Sequence, residues 1–128
     1  MSDELFDKGM AIRKAVLGAE YVARAEANKT EFDEDWQHYV TEHAWGAVWT
    51  RPGLEKRTRS MLTIAMLAAL GRHEELGAHI RATRNTGVTR DEIKEVLLQV
   101  AVYAGAPAAN AAFAIAKRVY KEMENEGK

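Results

Sequence analysis

The sequence predicts an all-α fold: a compact helical domain over residues 1–128, built from about six to seven helices. Three observations lead there. Apolar residues recur every three to four positions in successive segments, as they must where one face of a helix is buried. Glycine, proline and capping residues separate those segments at intervals that suit ordinary helices. No stretch alternates apolar and polar residues like a strand, and no repeat or shift of composition marks a second domain. A chain of 128 residues that is 47% hydrophobic can bury a core of its own and is not disordered.

Asp3 is placed to cap a first helix, which carries Phe6, Met10, Leu17 and Tyr21 at near-helical spacing. Gly18 ends or kinks it, and a continuation over residues 20–27 reaches the polar break Asn28-Lys29-Thr30-Glu31. Asp33 caps the next helix, which turns Trp36, Tyr39, Val40 and Ala44 inward and loses regularity at Gly46. Thr50-Arg51-Pro52-Gly53 forms a turn. A central helix over residues 55–70 follows. Its 61–70 run is apolar on nearly every side, so it needs cover all round, some of it from other subunits. Gly71 closes it. A helix bearing Leu76, His79 and Ile80 then runs to about Thr86 and stops at Gly87. Thr89 and Glu92 have capping-box spacing ahead of the stripe Ile93, Val96, Leu97, Val100. Pro107 opens an alanine-rich last helix that lets a neighbour come close, and the tail over residues 122–128 should fray.

Composition narrows the functions. With 18 basic against 19 acidic side chains there is no global field to recruit nucleic acid or an anionic membrane. The absence of cysteine rules out disulfides, thiol redox chemistry and thiolate metal sites. Residues 96–116 carry no charge, yet Gln99, Gly105, Pro107 and Asn110 interrupt the run, which reads as two helices meeting at a corner rather than a membrane span. The acidic, polar N-terminus lacks the form of a signal peptide, so a cytoplasmic protein is expected.

Chemistry concentrates around the central helix. Arg57 and Arg59 lie at its start, and Glu75 and His79 follow one turn apart on the next helix, a combination that suits a small anionic ligand. Plainer readings stand beside it: a surface Glu75–His79 pair, arginines solvated or paired with acids such as Glu55, and Trp45, Trp49 and Tyr103 as core. His38, His43, His73 and His79 make no recurring metal-ligand pattern, and Glu74, Glu75 and His79 are too few for a two-metal helical site. A rival from another class is a helix-turn-helix repressor over residues 79–100, with Arg81, Arg84 and Arg90 as readers. Asp91-Glu92, at the helix start that would face the bases, weighs against it.

Further motifs give a resemblance that covers nearly the whole chain. They are Val16-Leu17-Gly18 with Tyr21-Val22; Ala44-Trp45-Gly46 followed by Trp49-Thr50-Arg51-Pro52-Gly53-Leu54; and Arg57-Thr58-Arg59-Ser60 with the 62–71 run. Gly87-Val88-Thr89, Glu92-Ile93 and the 99–112 block complete the series. In these the chain resembles the 4-carboxymuconolactone decarboxylase family. The wider alkylhydroperoxidase-like superfamily uses a Cys-x-x-Cys-x-x-x-His motif whose frame falls here on Arg72, Glu75 and His79, so only the histidine is kept; a glutamate of those redox relatives corresponds to Ser60. The resemblance implies an alkylhydroperoxidase-like helical fold in homo-oligomers, commonly homohexamers (trimers of dimers), acting without a cofactor or metal on a small anionic lactone, with neither nucleic acid nor membrane as partner.

The implied reaction turns 4-carboxymuconolactone into 3-oxoadipate enol-lactone in the protocatechuate branch of the β-ketoadipate pathway. Loss of CO2 leaves a carbanion conjugated to the lactone carbonyl, so the substrate holds its own electron sink. The protein must then supply orientation, charge stabilisation and a proton. On this resemblance His79 is expected to donate the proton, with Glu75 orienting it and favouring its charged form. Arg51, Arg57 and Arg59 are candidates for the carboxylate that stays, and Trp45 for a wall of the ring site. A silent or catalytically different relative that binds such a lactone is the alternative.

Overall fold

The computed structural model describes residues 2–127, and among these there are helices and no strands. The chain divides into two compact units, residues 1–56 and 57–128. In the first, α1 (Ser2–Leu17) and α2 (Ala19–Asn28) meet at Gly18, whose φ of 98° lies where side-chain-bearing residues rarely go. Because α1 begins at Ser2, Asp3 sits within the first turn and favours the helix through the macrodipole rather than as its cap. α3 (Glu34–Val40) begins after Asp33, as expected, but Asp33 Oδ1 faces backward and accepts the Thr30 backbone N–H at 2.7 Å.

The chain does not lose regularity at Gly46. It continues from α3 into a π-helix over Thr41–Trp49, an uncommon form. Gly9 of α1 and Gly46 explain the close fit: a Cβ on Gly9 would sit 2.1 Å from the Thr41 carbonyl oxygen, and one on Gly46 2.4 Å from that of Leu5. Only two glycines permit this approach. Beside it lies the buried guanidinium of Arg13, whose Nη1 donates to Glu26 Oε2 at 3.3 Å and Thr41 Oγ1 at 3.2 Å, while Nη2 donates to Gln37 Oε1 at 3.2 Å. One cation thus ties α1 to α2, α3 and the first residue of the π-helix. Trp36 and Tyr39, expected inward, are each 57% exposed, because the inner face here is made by glycine, threonine and arginine instead of by the aromatic stripe.

The second unit follows ordinary apolar logic. It comprises α4 (Lys56–Leu70), α5 (His73–Arg81), the one-turn α6 (Thr83–Thr86), α7 (Arg90–Ala104) and α8 (Ala106–Asn125). Ile64 and Ala68 of α4 join Leu76 and Ile80 of α5, Ile93, Leu97 and Val100 of α7, and Ala112, Ile115, Ala116 and Val119 of α8 in one core. The alanines let α8 lie close to its neighbours. Gly87, at φ 84°, ends α6, and Thr89 and Glu92 form the expected reciprocal capping box. Gly105, at φ 104°, turns the chain from α7 into α8.

Within the chain the central helix buries one stripe, Ser60-Ile64-Ala68, and leaves Leu62, Met66 and Leu70 exposed, the sides expected to need cover from other subunits. One expectation is corrected. The tail does not fray at Glu122: α8 runs on to Asn125, held by ion pairs from Arg81 to Glu122 and Glu126 and from Arg90 to Glu124.

Candidate active site

His79 lies in the last turn of α5, between Leu76 and Ile80, neither of which has any exposed surface. Their burial carries the imidazole inward with them. Desolvation pushes His79 down to about 4, so at neutral pH it is uncharged. Here the structure corrects an expectation. Glu75 was to favour the charged form, but it is exposed in the first turn of α5, and burial rather than a neighbouring carboxylate sets the direction of the shift.

A column of buried hydroxyls accompanies the histidine. Ala82, the one residue between α5 and α6, keeps a right-handed helical conformation, so His79, Thr83 and Thr86 recur at helical spacing. Thr83 and Thr86 are buried, and Thr86 Oγ1 donates at 3.0 Å to Ser60 Oγ, which has no exposed surface. Thr83 Oγ1 donates to the Ile80 carbonyl at 2.6 Å. Sequence reasoning singled out Ser60 only as the counterpart of a glutamate and missed both threonines. The available signal was their spacing from His79 on a face otherwise apolar. Thr83 and Thr86 spend their hydroxyl hydrogens on the Ile80 carbonyl and on Ser60, so among these hydroxyls it is Ser60, the acceptor, that can donate onward; it and a neutral imidazole N–H are donor types that meet a developing oxyanion without bringing a fixed charge.

The arginine candidates fare differently. Arg57 is ion-paired with Glu92, which belongs to the α7 capping box, so its guanidinium ties α4 to the start of α7. Arg59 is half-buried on α4, one residue before Ser60. In the other unit Arg51 is exposed after the π-helix, and Trp45 is buried with its ring stacked on that of Trp49 at 4.9 Å between centroids. The proposed DNA readers are engaged elsewhere: Arg81 and Arg84 with Glu126, and Arg90 with Glu124. Among the described residues no group of three or more His, Asp or Glu is placed to hold a metal ion. An open groove of about 500 Å³ between α4 and α7, lined by residues such as Met61, Leu62, Met66, Val100 and Tyr103, carries no charged side chain, and His79 is not part of it.

Comparison with known proteins gives this arrangement a context. Residues 34–118 match the carboxymuconolactone decarboxylase family, a stretch that runs through parts of both units. The chain is 48% identical over 124 residues to 4-carboxymuconolactone decarboxylase of Acinetobacter baylyi, covering 96% of this chain and 92% of that protein. It is 43% identical over 123 residues to nitrosuccinic acid decarboxylase of Metarhizium robertsii, covering 96% of this chain and 86% of the relative.

Proposed function

Because the chain belongs to the carboxymuconolactone decarboxylase family, we propose that it is a carboxy-lyase converting 4-carboxymuconolactone to 3-oxoadipate enol-lactone and CO2. The observation that carries this reading is the 48% identity to 4-carboxymuconolactone decarboxylase across 96% of the chain. We assign this step to the protocatechuate branch of the β-ketoadipate pathway and to the cytoplasm on the family resemblance alone. Among the described residues no helix is long and apolar enough to cross a membrane.

In this reading the ring carboxylate leaves as CO2, and its bonding pair passes through the ring double bond to the carbonyl oxygen of the lactone. The resulting dienolate is neutralised by a proton added to the carbon next to the carbonyl. His79 serves first as an uncharged hydrogen-bond donor. The two negative charges of the substrate raise its proton affinity, so the proton destined for carbon is taken up as substrate binds. The retained carboxylate needs a cation, and Arg51, Arg57 and Arg59 are the candidates, of which Arg57 would share its guanidinium with Glu92. Trp45 supplies apolar wall, and Glu75 no more than a weak, solvent-screened influence. Keeping the departing carboxylate away from any arginine leaves it poorly solvated, which favours its loss.

The enzyme is proposed to act as a homohexamer, a trimer of dimers. Support comes from the uncharged α4–α7 groove, whose lining includes Met66 and Tyr103, 57% and 81% exposed. A second copy of the chain is a natural cover for such a surface.

The reading is tested by adding purified protein to fresh 4-carboxymuconolactone and following the product by NMR, beside a His79→Ala variant shown to fold. Conversion by the parent, with a loss of about 100-fold or more in the variant, is expected. Equal conversion by both would remove His79 from the mechanism, and no conversion by the parent would end the assignment.

A further inference from the structure

The first unit has an aromatic face that its own packing leaves unused. Phe32, Trp36, Tyr39 and His43 recur every three to four residues, so they lie along one side from the turn before α3 into the π-helix. Phe32 is 98% exposed, and Trp36, Tyr39 and His43 are exposed as well. The rings follow on from one another: Trp36 stacks on Tyr39 at 6.2 Å between centroids, and Tyr39 tilts against His43 at 4.5 Å. A continuous row of aromatic rings in water marks a surface that another protein covers.

The second unit offers a shape that fits it. The groove of about 500 Å³ between α4 and α7 is walled by side chains such as Met61, Leu62, Met66, Val96 and Val100, with no charge among its lining residues. Methionine bends to fit a ring and makes favourable sulfur–aromatic contacts, and an apolar row at helical spacing is well suited to an apolar groove. Charge selects the pairing. Residues 30–50 carry five carboxylates and neither lysine nor arginine, whereas α4 and α7 carry five basic side chains against three acidic ones. Stripe against stripe, or groove against groove, would set like charges face to face. Stripe against groove sets opposite ones together.

We infer that the aromatic stripe of one copy of this chain lies in the α4–α7 groove of a second copy. The inference rests on the homohexamer reading above and names one of its contacts. Two different patches meeting in this way form a head-to-tail contact, which closes into a ring about the threefold axis of a trimer of dimers. The contacts about its twofold axes are self-matched and lie elsewhere. Breaking the stripe–groove contact therefore leaves dimers.

The test uses the full chain in sedimentation velocity. Trp36→Glu spoils the stripe and keeps the groove, and Met66→Glu does the reverse. Both positions are 57% exposed, and far-ultraviolet circular dichroism checks that each variant folds. Should Trp36→Glu not fold, Trp36→Ser makes the same test with a neutral side chain. The parent should sediment as a hexamer and each variant alone as a dimer. An equal mixture of the two variants should form larger species again, because intact stripes then meet intact grooves. A hexamer unchanged by the Trp36 substitution, or a mixture that stays dimeric, overturns the inference and leaves the homohexamer reading standing. A parent that sediments as a monomer overturns both and leaves the decarboxylase assignment to its own assay.

Discussion

The two units of this chain reach a folded state by different means. Residues 57–128 bury a continuous apolar core in which Ile64, Leu76, Ile80, Ile93 and Leu97 have at most 1% of their surface exposed. Residues 1–56 bury few large apolar side chains, Val16, Val22 and Trp45, and depend on two glycines in backbone contact and on one buried arginine with three acceptors. The first kind of packing tolerates small adjustments, because side chains can shift against one another. The second tolerates them less, since neither a backbone oxygen nor a buried guanidinium bonded to three acceptors on different elements can move without losing those contacts.

One substitution made in each unit should expose the contrast most sharply. Gly9→Ala would force a Cβ within 2.1 Å of the Thr41 carbonyl oxygen, and we expect it to cost more than about 3 kcal/mol or to prevent the first unit from folding. Gly77→Ala, also at a buried helical glycine, would meet only side-chain atoms of Arg118, Val119 and Ile115 at 3.6–3.7 Å. It should be neutral or stabilise by up to about 1 kcal/mol, through the better helix propensity of alanine. Denaturant titrations of both variants, with urea midpoints compared, would undo the comparison if they moved together.

Acid should separate the units next. His79 titrates near 4 when folded and near 6.5 when unfolded, so between those values the unfolded chain binds the proton and the folded chain does not. Its contribution is complete above 6.5 and is lost as pH falls toward 4, by at most about 3 kcal/mol. In the first unit Lys29, followed by Arg13, holds Glu26 below the usual carboxylate value of 4.5, so its contribution survives to lower pH. Hydrogen exchange resolved along the sequence should therefore show the second unit weakening from pH 6.5 downward while the first holds until below 4.5. His79→Gln should abolish the earlier phase. Trp36, Trp45 and Trp49 all lie in the first unit, so tryptophan emission should follow only the later one.

The smallest effect concerns the α7 cap. Thr89→Ala removes the side-chain acceptor of the Glu92 backbone N–H, and a loss of about 1 kcal/mol is expected in thermal denaturation. A markedly larger loss would mean that the Arg57–Glu92 pair depends on the same cap.

This contrast also explains what could be read in advance. The stripe Ile93-Leu97-Val100, the Thr89–Glu92 box and the corners at Gly18, Gly87 and Gly105 follow from local rules, and the structure has them. Trp36 and Tyr39 were placed inward because hydrophobic spacing was the only guide, whereas that unit is organised by Gly9 meeting Gly46 and Arg13 meeting Thr41, contacts far apart in sequence that leave no periodic trace. At the candidate site His79 was legible, but its charge state was not. Helical spacing places Glu75 one turn away without saying which of the two faces water. Thr83 and Thr86 passed unnoticed because threonine in a helix is ordinary until burial gives its hydroxyl a purpose.

The clasp of Arg81 and Arg90 by the glutamates of α8 bears on handling the protein. Proteolysis or truncation just after Lys121 would remove three acidic side chains and one basic one, shifting the formal net charge from −1 to +1. It would also strip Arg81, Arg84 and Arg90 of the carboxylates they face. A clipped preparation would then present a cationic cluster and adhere to heparin or nucleic acid in low salt, an affinity that belongs to the damage and not to the intact chain.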